Sequence, residues 1–311
     1  MSVASGRAAL AELTGTSVWT RRRRLIGALY ATPTALVVLL FFVVPLLLVA
    51  RMSASDWTLL AGDRGINLPR NYGVLPSNPL FWPAVEFTVR YTIIVTVLLI
   101  GLGLLMALLV QESSRWVGLL RTVFLLPLAV GLAAAALLFW GFYSPQIGPL
   151  NPLLQSAGLI QQPIQFLGTP TNALLSTVFL IVWKFAGFYM LILLVGLQQI
   201  PHDVYESAAI DGAGRWQTFR HITLPLLKPA LALSLILCVT GSLLAFDQFY
   251  ILTRGGPDNS TVTIVQLIYR EAFVRSNLGV AAALSLILLA ALLVLNTLWF
   301  KGLRRGGEEA R

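Results

Sequence analysis

The chain has 311 residues, a formal net charge of +9 and one cysteine. Hydrophobic residues make up 57% of the chain and charged residues 11%, whereas a soluble domain carries about 25% charge. This composition predicts a membrane protein and excludes a large soluble domain. The cysteine, Cys238, lies in an apolar stretch, so no disulfide framework is predicted.

Apolar stretches of about 20 residues can cross the hydrocarbon core as helices. Six stretches of this kind predict an all-α membrane protein with six transmembrane helices. Pro45 and Pro127 lie within the first and third stretches, where a proline can kink a membrane helix. The predicted spans are residues 26–50, 91–110, 122–143, 173–196, 230–252 and 278–300.

The distribution of Lys and Arg between the connectors predicts that both termini are cytoplasmic. In that orientation the inside segments hold fourteen Lys and Arg residues and the outside segments hold seven. The predicted organisation is a cytoplasmic tail of residues 1–24, a transmembrane domain of residues 25–300 and a cytoplasmic tail of residues 301–311. The basic run at residues 21–24 adjoins a span and has no interleaved aromatics, so it predicts no nucleic-acid partner.

Two ionisable residues lie inside predicted spans, Lys184 in the fourth and Asp247 in the fifth. Such residues usually face a protein interior or a water-filled cavity. We therefore expect both to face a translocation pathway and to pair there, with a structural salt bridge or snorkelling as the alternative. Tyr189, Gln248 and Tyr250 add the aromatic and amide groups that suit a neutral polyol, although packing explains each of them equally well.

Residues 201–229 form the longest polar interruption in the second half of the chain, and we call them the coupling loop. Val204 and Ala208 belong to a small-residue face of a short predicted helix, which Gly212 ends. A second short helix follows, with an apolar residue at every third position. These residues are Trp216, Phe219 and Ile222, and Pro225 is expected to stop the helix.

The coupling loop resembles the conserved cytoplasmic loop of permease subunits of bacterial binding-protein-dependent ABC importers. That pattern is Glu-Ala-Ala, three residues, Gly, nine residues and Ile-x-Leu-Pro. Here it reads Glu206-Ser207-Ala208, then Gly212, then Ile222-Thr223-Leu224-Pro225, with Ser207 as the one departure. The resemblance extends over about residues 25–300.

Two outside connectors narrow the resemblance to the carbohydrate and glycerol-phosphate, maltose-permease-like group. The first carries Ser53, a Trp at position 57 and the pair Asn71-Tyr72. The last begins with a Gly-Gly-Pro turn at residues 255–257. For the Trp residues of the first connector, an interfacial aromatic belt is an equally good interpretation.

The resemblance implies a type I ABC importer permease fold in the bacterial cytoplasmic membrane, surrounded by lipid. It implies a sugar or related polyol as the solute, a dimer of separate ATP-binding subunits, a second permease chain and an extracytoplasmic binding protein. ATP and Mg²⁺ would be held by the ATPase partner, and this chain would hold no cofactor and no metal. The residues implied to couple to the ATPase are Glu206, Ser207, Ala208, Asp211, Gly212, Ile222, Leu224 and Pro225.

Catalytic patterns are missing from the sequence. It contains no Gly-Lys pair and therefore no phosphate-binding P-loop, and it contains no zinc or nucleophile motif. A non-catalytic transport subunit is thus predicted. Two alternatives remain, an ion-coupled secondary transporter and an ABC permease for a solute other than a sugar. The former usually shows an internal repeat and several intramembrane carboxylates, and one such carboxylate is present.

Overall fold

The chain folds into a bundle of long apolar helices. The computed structural model describes residues 26–112 and 114–308, with side chains as far as Trp299, so the predicted tail of residues 1–24 lies outside the described residues. Among the described residues, five helices are long and apolar enough to cross a membrane. They are α1 (Ile26–Ser53), α3 (Phe81–Leu109), α7 (Pro170–Gln198), the segment Lys228–Leu252, and the apolar part Leu278–Trp299 of α13 (Leu278–Glu308).

The third predicted span is broken close to Pro127, the proline at which the sequence predicts an interruption. It consists of α4 (Arg115–Ala129) and α5 (Leu132–Tyr143), which meet at an angle of 92°. Pro127 near the end of α4 cannot donate a helix hydrogen bond, and Val130 after it has extended backbone angles. If this bent pair counts as one span, the described chain has six.

Shorter elements connect the spans. The Lys228–Leu252 segment is itself divided at residues 244–246 into α10 (Lys228–Leu243) and α11 (Asp247–Leu252). The short elements in chain order are β1 (Ser55–Thr58), β2 (Gly62–Ile66), α2 (Leu68–Gly73), a 3₁₀ turn (Leu75–Ser77), α6 (Leu150–Ser156), α8 (His202–Ile210), α9 (Arg215–Thr218), α10 (Lys228–Leu243), α11 (Asp247–Leu252) and α12 (Ile264–Tyr269).

Helix α7 is the centre of the bundle and contacts α3, α4, α5 and α10. Its glycines permit close approach, as small residues do at many membrane helix contacts. At Gly187 an added Cβ would overlap the carbonyl oxygen of Phe124 in α4. At Gly103 of α3 an added Cβ would lie 3.0 Å from Cβ of Tyr189 in α7. Backbone contacts therefore fix how α3 and α4 lie against α7.

The first connector is a small antiparallel hairpin of β1 and β2, which the sequence analysis does not predict. Asn71 lies buried beneath it and donates to the carbonyl oxygens of Ser53 (2.9 Å) and Ser55 (2.8 Å). Tyr72 donates its hydroxyl to Ser53 Oγ at 3.0 Å. An added Cβ on Gly279 at the start of α13 would lie 2.6 Å from the Ser55 oxygen. Three of the residues that mark the resemblance in this connector, Ser53, Asn71 and Tyr72, are thus joined by hydrogen bonds.

The Gly-Gly-Pro segment forms the predicted tight turn, because the N–H of Gly256 donates to the carbonyl oxygen of Thr253 at 2.8 Å. Gly255 has a φ of 88°, and an added Cβ there would lie 2.5 Å from the guanidinium of Arg270. Arg270 donates to the Arg254 carbonyl oxygen at 2.9 Å and to the side chain of Asn259 at 2.7 Å. One guanidinium therefore holds both sides of the turn.

We predict that Gly187→Ala destabilises the protein by about 1–3 kcal/mol, because the new methyl group must push α4 away from α7. The matched control is Gly101→Ala in α3, where an added Cβ has no neighbour within 4 Å. This control should be neutral or slightly stabilising. Thermal unfolding of the two purified variants in one detergent checks the difference, and equal melting temperatures would contradict the packing argument.

Candidate functional site

The coupling loop begins with α8, which ends where the sequence predicts. Gly212 has a φ of 74°, a conformation that favours glycine. Its N–H donates to the Ala209 carbonyl oxygen at 3.1 Å, and the N–H of Ala213 donates to the Ala208 carbonyl oxygen at 2.9 Å. This is the Schellman pattern of helix ends. Asp211 occupies the last, half-helical position before the turn and is exposed.

Pro225 does not end the second helix, which corrects the sequence analysis. The helix continues from α9 through a π-helical turn, Phe219–Thr223, to Leu226, and the chain turns at Leu227 before α10. A proline ring normally clashes with the carbonyl four residues earlier. Here the N–H of Leu224 donates to the Phe219 carbonyl in the wider π turn, which accommodates Pro225 inside the helix.

One face of the coupling loop is fixed to the bundle. Ala208 is buried, and the hydroxyl groups of Tyr205 and Thr223 lie 3.3 Å apart, which joins the two short helices. Ile222 and Leu224 are half-buried. Tyr205 also packs on a core cluster at the ends of three long helices. This cluster includes Ala107 and Val110 near the end of α3, Met190, Leu193 and Leu197 of α7, and Leu227 before α10.

The other face of the coupling loop is exposed. Glu206 bonds the ring of His202 at 3.0 Å, and Ser207 donates to the Asp203 carbonyl oxygen at 2.8 Å. The apolar side chains Ile210 and Trp216 are 86% and 68% exposed. Ile210 is a residue that the sequence analysis missed, although its position outside the small-residue face of α8 could have indicated it. Large exposed apolar side chains on the same loop as a carboxylate are suited to contact with another protein.

Arg121 braces the neighbouring connector between α3 and α4. Its guanidinium donates to the Val110 carbonyl oxygen at 2.6 Å and 3.1 Å and to the Glu112 carbonyl oxygen at 3.2 Å. These carbonyls follow the end of α3, where a positive charge interacts favourably with the helix dipole. The end of α3 that contacts the coupling loop is thereby held in place.

Lys184 and Asp247 do not pair, contrary to the hypothesis from the sequence. Lys184 is 4% exposed, and its ammonium donates to the Val130 carbonyl at the break between α4 and α5. Asp247 is exposed at the first position of α11 and belongs to none of the ion pairs among the described residues. Because a broken helix leaves carbonyl groups without partners, Lys184 satisfies one of them inside the bundle.

A cavity of about 330 Å³ lies between α3, α5, α7, α10 and α11. Three of the predicted pathway residues line it, namely Tyr189, Asp247 and Gln248, whereas Lys184 and Tyr250 do not. Gln248 is buried and donates to the Tyr91 hydroxyl at 3.1 Å, while its carbonyl oxygen has no protein partner. Asp247 is the one charged residue of the lining, which is otherwise apolar, aromatic or neutral polar.

Within the described residues, no group of three or more His, Cys, Asp or Glu side chains is placed to hold a metal ion. The residues of the cavity offer hydroxyl, amide and carboxylate groups on a mainly aromatic and aliphatic wall. Such a wall can bind a small solute that has both hydrogen-bonding groups and C–H surface.

The family is shown by sequence comparison. Residues 99–302 match the model of the binding-protein-dependent transport system inner membrane component. The chain therefore belongs to this family of transport permeases, whose members are not catalytic. It is a multi-pass inner-membrane family, which agrees with the apolar helices.

Individual relatives cover almost the whole chain. The trehalose/maltose transport system permease protein MalF of Thermococcus litoralis is 35% identical over 281 residues, which are 90% of this chain and 94% of the relative. The probable ABC transporter permease YurN of Bacillus subtilis is 33% identical over 93% of this chain and 99% of the relative.

A solved structure shares the fold. It belongs to a bacterial ABC transporter involved in the import of the acidic polysaccharide alginate. The TM-score is 0.80 with 25% identity, over 93% of this chain and 99% of that chain. The fold is the type I ABC importer permease fold, as the resemblance of the coupling loop implies.

We predict that Lys184→Met lowers the free energy of unfolding by about 1–3 kcal/mol, because the Val130 carbonyl loses its donor. Lys228→Met at the exposed start of α10 is the control and should unfold like the wild type. Unfolding of both variants in detergent provides the measurement. A Lys184→Met protein of normal stability but impaired transport would instead support the predicted pathway role of Lys184.

Proposed function

We propose that this chain is the membrane-spanning subunit of an ATP-driven importer of neutral sugars or short oligosaccharides. An extracytoplasmic binding protein delivers the solute, and a second permease chain completes the pathway. A dimer of separate ATP-binding subunits, which hold ATP and Mg²⁺, contacts the coupling loop. Both termini and the coupling loop then lie on the cytoplasmic side of the bacterial inner membrane.

The observation that carries this proposal is the two-sided construction of the coupling loop. Its buried face joins the ends of α3, α7 and α10, while Ile210 and Trp216 face outwards. A partner that binds the exposed face can therefore move the ends of the three helices. The same helices carry Tyr189 and Ser242 in the cavity wall, so such a movement reaches the solute site.

The charge of the cavity supports a neutral solute. Asp247 is the charged residue of its lining, and no Lys or Arg contributes to it within the described part of the chain. An acidic sugar such as the alginate carried by the structural relative would meet a carboxylate of the same charge. A neutral sugar, in contrast, can donate a hydroxyl proton to Asp247, which lines the cavity. The relative named for trehalose and maltose supports the same class.

We predict that Trp216→Ser separates this chain from its ATPase. A large exposed aromatic side chain at an interface contributes about 2 kcal/mol or more, so the loss should exceed roughly tenfold in affinity. Co-purification of the ATP-binding subunit and solute-stimulated ATP hydrolysis are the measurements. The fold should persist, because Trp216 is mainly exposed.

The control for this experiment is Trp82→Ser. Trp82 is 61% exposed and lies at the start of α3, at the end opposite the coupling loop. It should leave the ATPase bound. Retention of a fully active ATPase by the Trp216→Ser protein would refute docking through this face, and uphill uptake by the purified chain alone would refute the ATP-driven class.

We predict that Gln248→Leu raises the KM for sugar uptake by roughly tenfold, the equivalent of one hydrogen bond of about 1.4 kcal/mol. The comparison is Tyr91→Phe, which removes the 3.1 Å bond between Tyr91 and Gln248 but keeps the amide. It should change KM less. Uptake of radiolabelled maltose into vesicles measures both, and equal KM values for Gln248→Leu and wild type would argue against a solute contact.

A further inference from the structure

Four aromatic rings form a continuous cluster beside the cavity, and we call it the aromatic wall: Phe246, Tyr250, Tyr269 and Phe273. Phe246 and Tyr250 are stacked, with ring centroids 5.1 Å apart and planes 19° apart. Tyr269 lies 5.4 Å from Phe246 and 5.2 Å from Tyr250. Phe273 follows at 5.2 Å from Tyr269.

The aromatic wall leads from the surface to the cavity. Phe273 is 60% exposed and Tyr250 is 40% exposed, whereas Phe246 at the other end is part of the cavity lining. Asp247 comes directly after Phe246 and also lines the cavity. A solute on the rings would therefore be next to the polar groups of the cavity mouth.

Residues 263–275 hold the rings in position through polar contacts on the side opposite the aromatic wall. Thr263 donates to the Ala245 carbonyl at 2.8 Å, and the N–H of Ile264 donates to Thr88 Oγ1 at 3.0 Å. Farther along, the buried carboxylate of Glu271 accepts from Asn78 at 2.8 Å and pairs with Arg275 at 2.7 Å. These contacts anchor α12 and the π turn that follows it, Arg270–Val274, through their polar face, so the aromatic face is left open.

The rings also carry hydrogen-bonding groups. The hydroxyls of Tyr250 and Tyr269 lie 3.3 Å apart, and this hydrogen bond raises the pKa of Tyr269. Each hydroxyl has capacity for a further partner, because a phenol both donates and accepts. The wall thus combines flat apolar faces with neutral polar edges, and it has no cationic group of its own.

We propose that the aromatic wall is a carbohydrate-stacking surface on which a neutral sugar ring lies before it enters the cavity. The C–H face of a pyranose is slightly positive and is attracted to the negative face of an aromatic ring. The sugar hydroxyls at the ring edge are then available to the tyrosine hydroxyls and to Asp247. This inference rests on the proposed function, since it assigns a second surface to the same solute class.

The test uses the full-length chain with its co-purified partners in lipid nanodiscs and maltose as the probe. Saturation-transfer NMR titration measures the apparent Kd for maltose. The double variant Tyr250→Leu/Phe273→Leu should bind about 2–10-fold more weakly, as expected for the loss of aromatic contacts. Phe179→Leu is the matched control, because Phe179 is 58% exposed on α7 and does not line the cavity. It should leave the Kd unchanged.

The conservative variant Tyr250→Phe/Phe273→Tyr keeps both rings and should retain most of the affinity. An unchanged Kd in the leucine double variant, or no binding of maltose to the wild type, would overturn the proposal. Loss of a permease chain from the double-variant complex would also overturn it, since the rings would then be a subunit contact. Maltose binding that depends on the rings without any uptake would disprove the proposed transport function and leave this surface standing.

Discussion

The close approach of backbones around α7 is the constraint on which the rest of the structure depends. In a bilayer the surrounding lipid is as apolar as the side chains, so helices associate mainly through tight packing and hydrogen bonds. Gly187 brings α4 against α7, and Gly103 does the same for α3. At Gly196 an added Cβ would overlap the methyl group of Ala230, which brings α10 equally close. The positions of three neighbouring helices thus follow from one central helix.

This arrangement places two candidate functional regions, the cavity and the coupling loop, along one helix. Tyr189 of α7 lines the cavity, and Leu193 and Leu197 farther along the same helix belong to the cluster beneath the coupling loop. At the α4–α5 break beside it, the carbonyl group of Val130 accepts a hydrogen bond from the side chain of Lys184. Irregular backbone at membrane depth is tolerated where protein covers it in this way. The fold therefore combines the central helix α7 with a break between α4 and α5 at which Lys184 of α7 donates a hydrogen bond.

The sequence was sufficient for the all-α membrane fold class, for the helix end at Gly212 and for the family, because each depends on local composition or spacing. It was insufficient where tertiary contacts decide. Lys184 was expected to pair with Asp247, yet its partner is the Val130 carbonyl, 54 residues away in the sequence, at the break between α4 and α5. The hairpin after α1 depends on the distant contacts of Asn71 and Gly279. Pro225 was expected to stop the second helix of the coupling loop. The helix instead continues to Leu226, because the turn before Pro225 is π-helical.

That π turn has a geometric consequence for the evolution and engineering of the molecule. A π turn holds one more residue than the regular turn it replaces, and each residue of an α-helix corresponds to about 100° of rotation. The turn therefore absorbs the extra residue, whereas winding the same residues as a regular α-helix would swing Trp216 about 100° around the axis relative to α10. The π turn thus sets the azimuth at which the outward-facing indole is presented, and a chain shorter by one residue here would keep that azimuth with a regular helical turn.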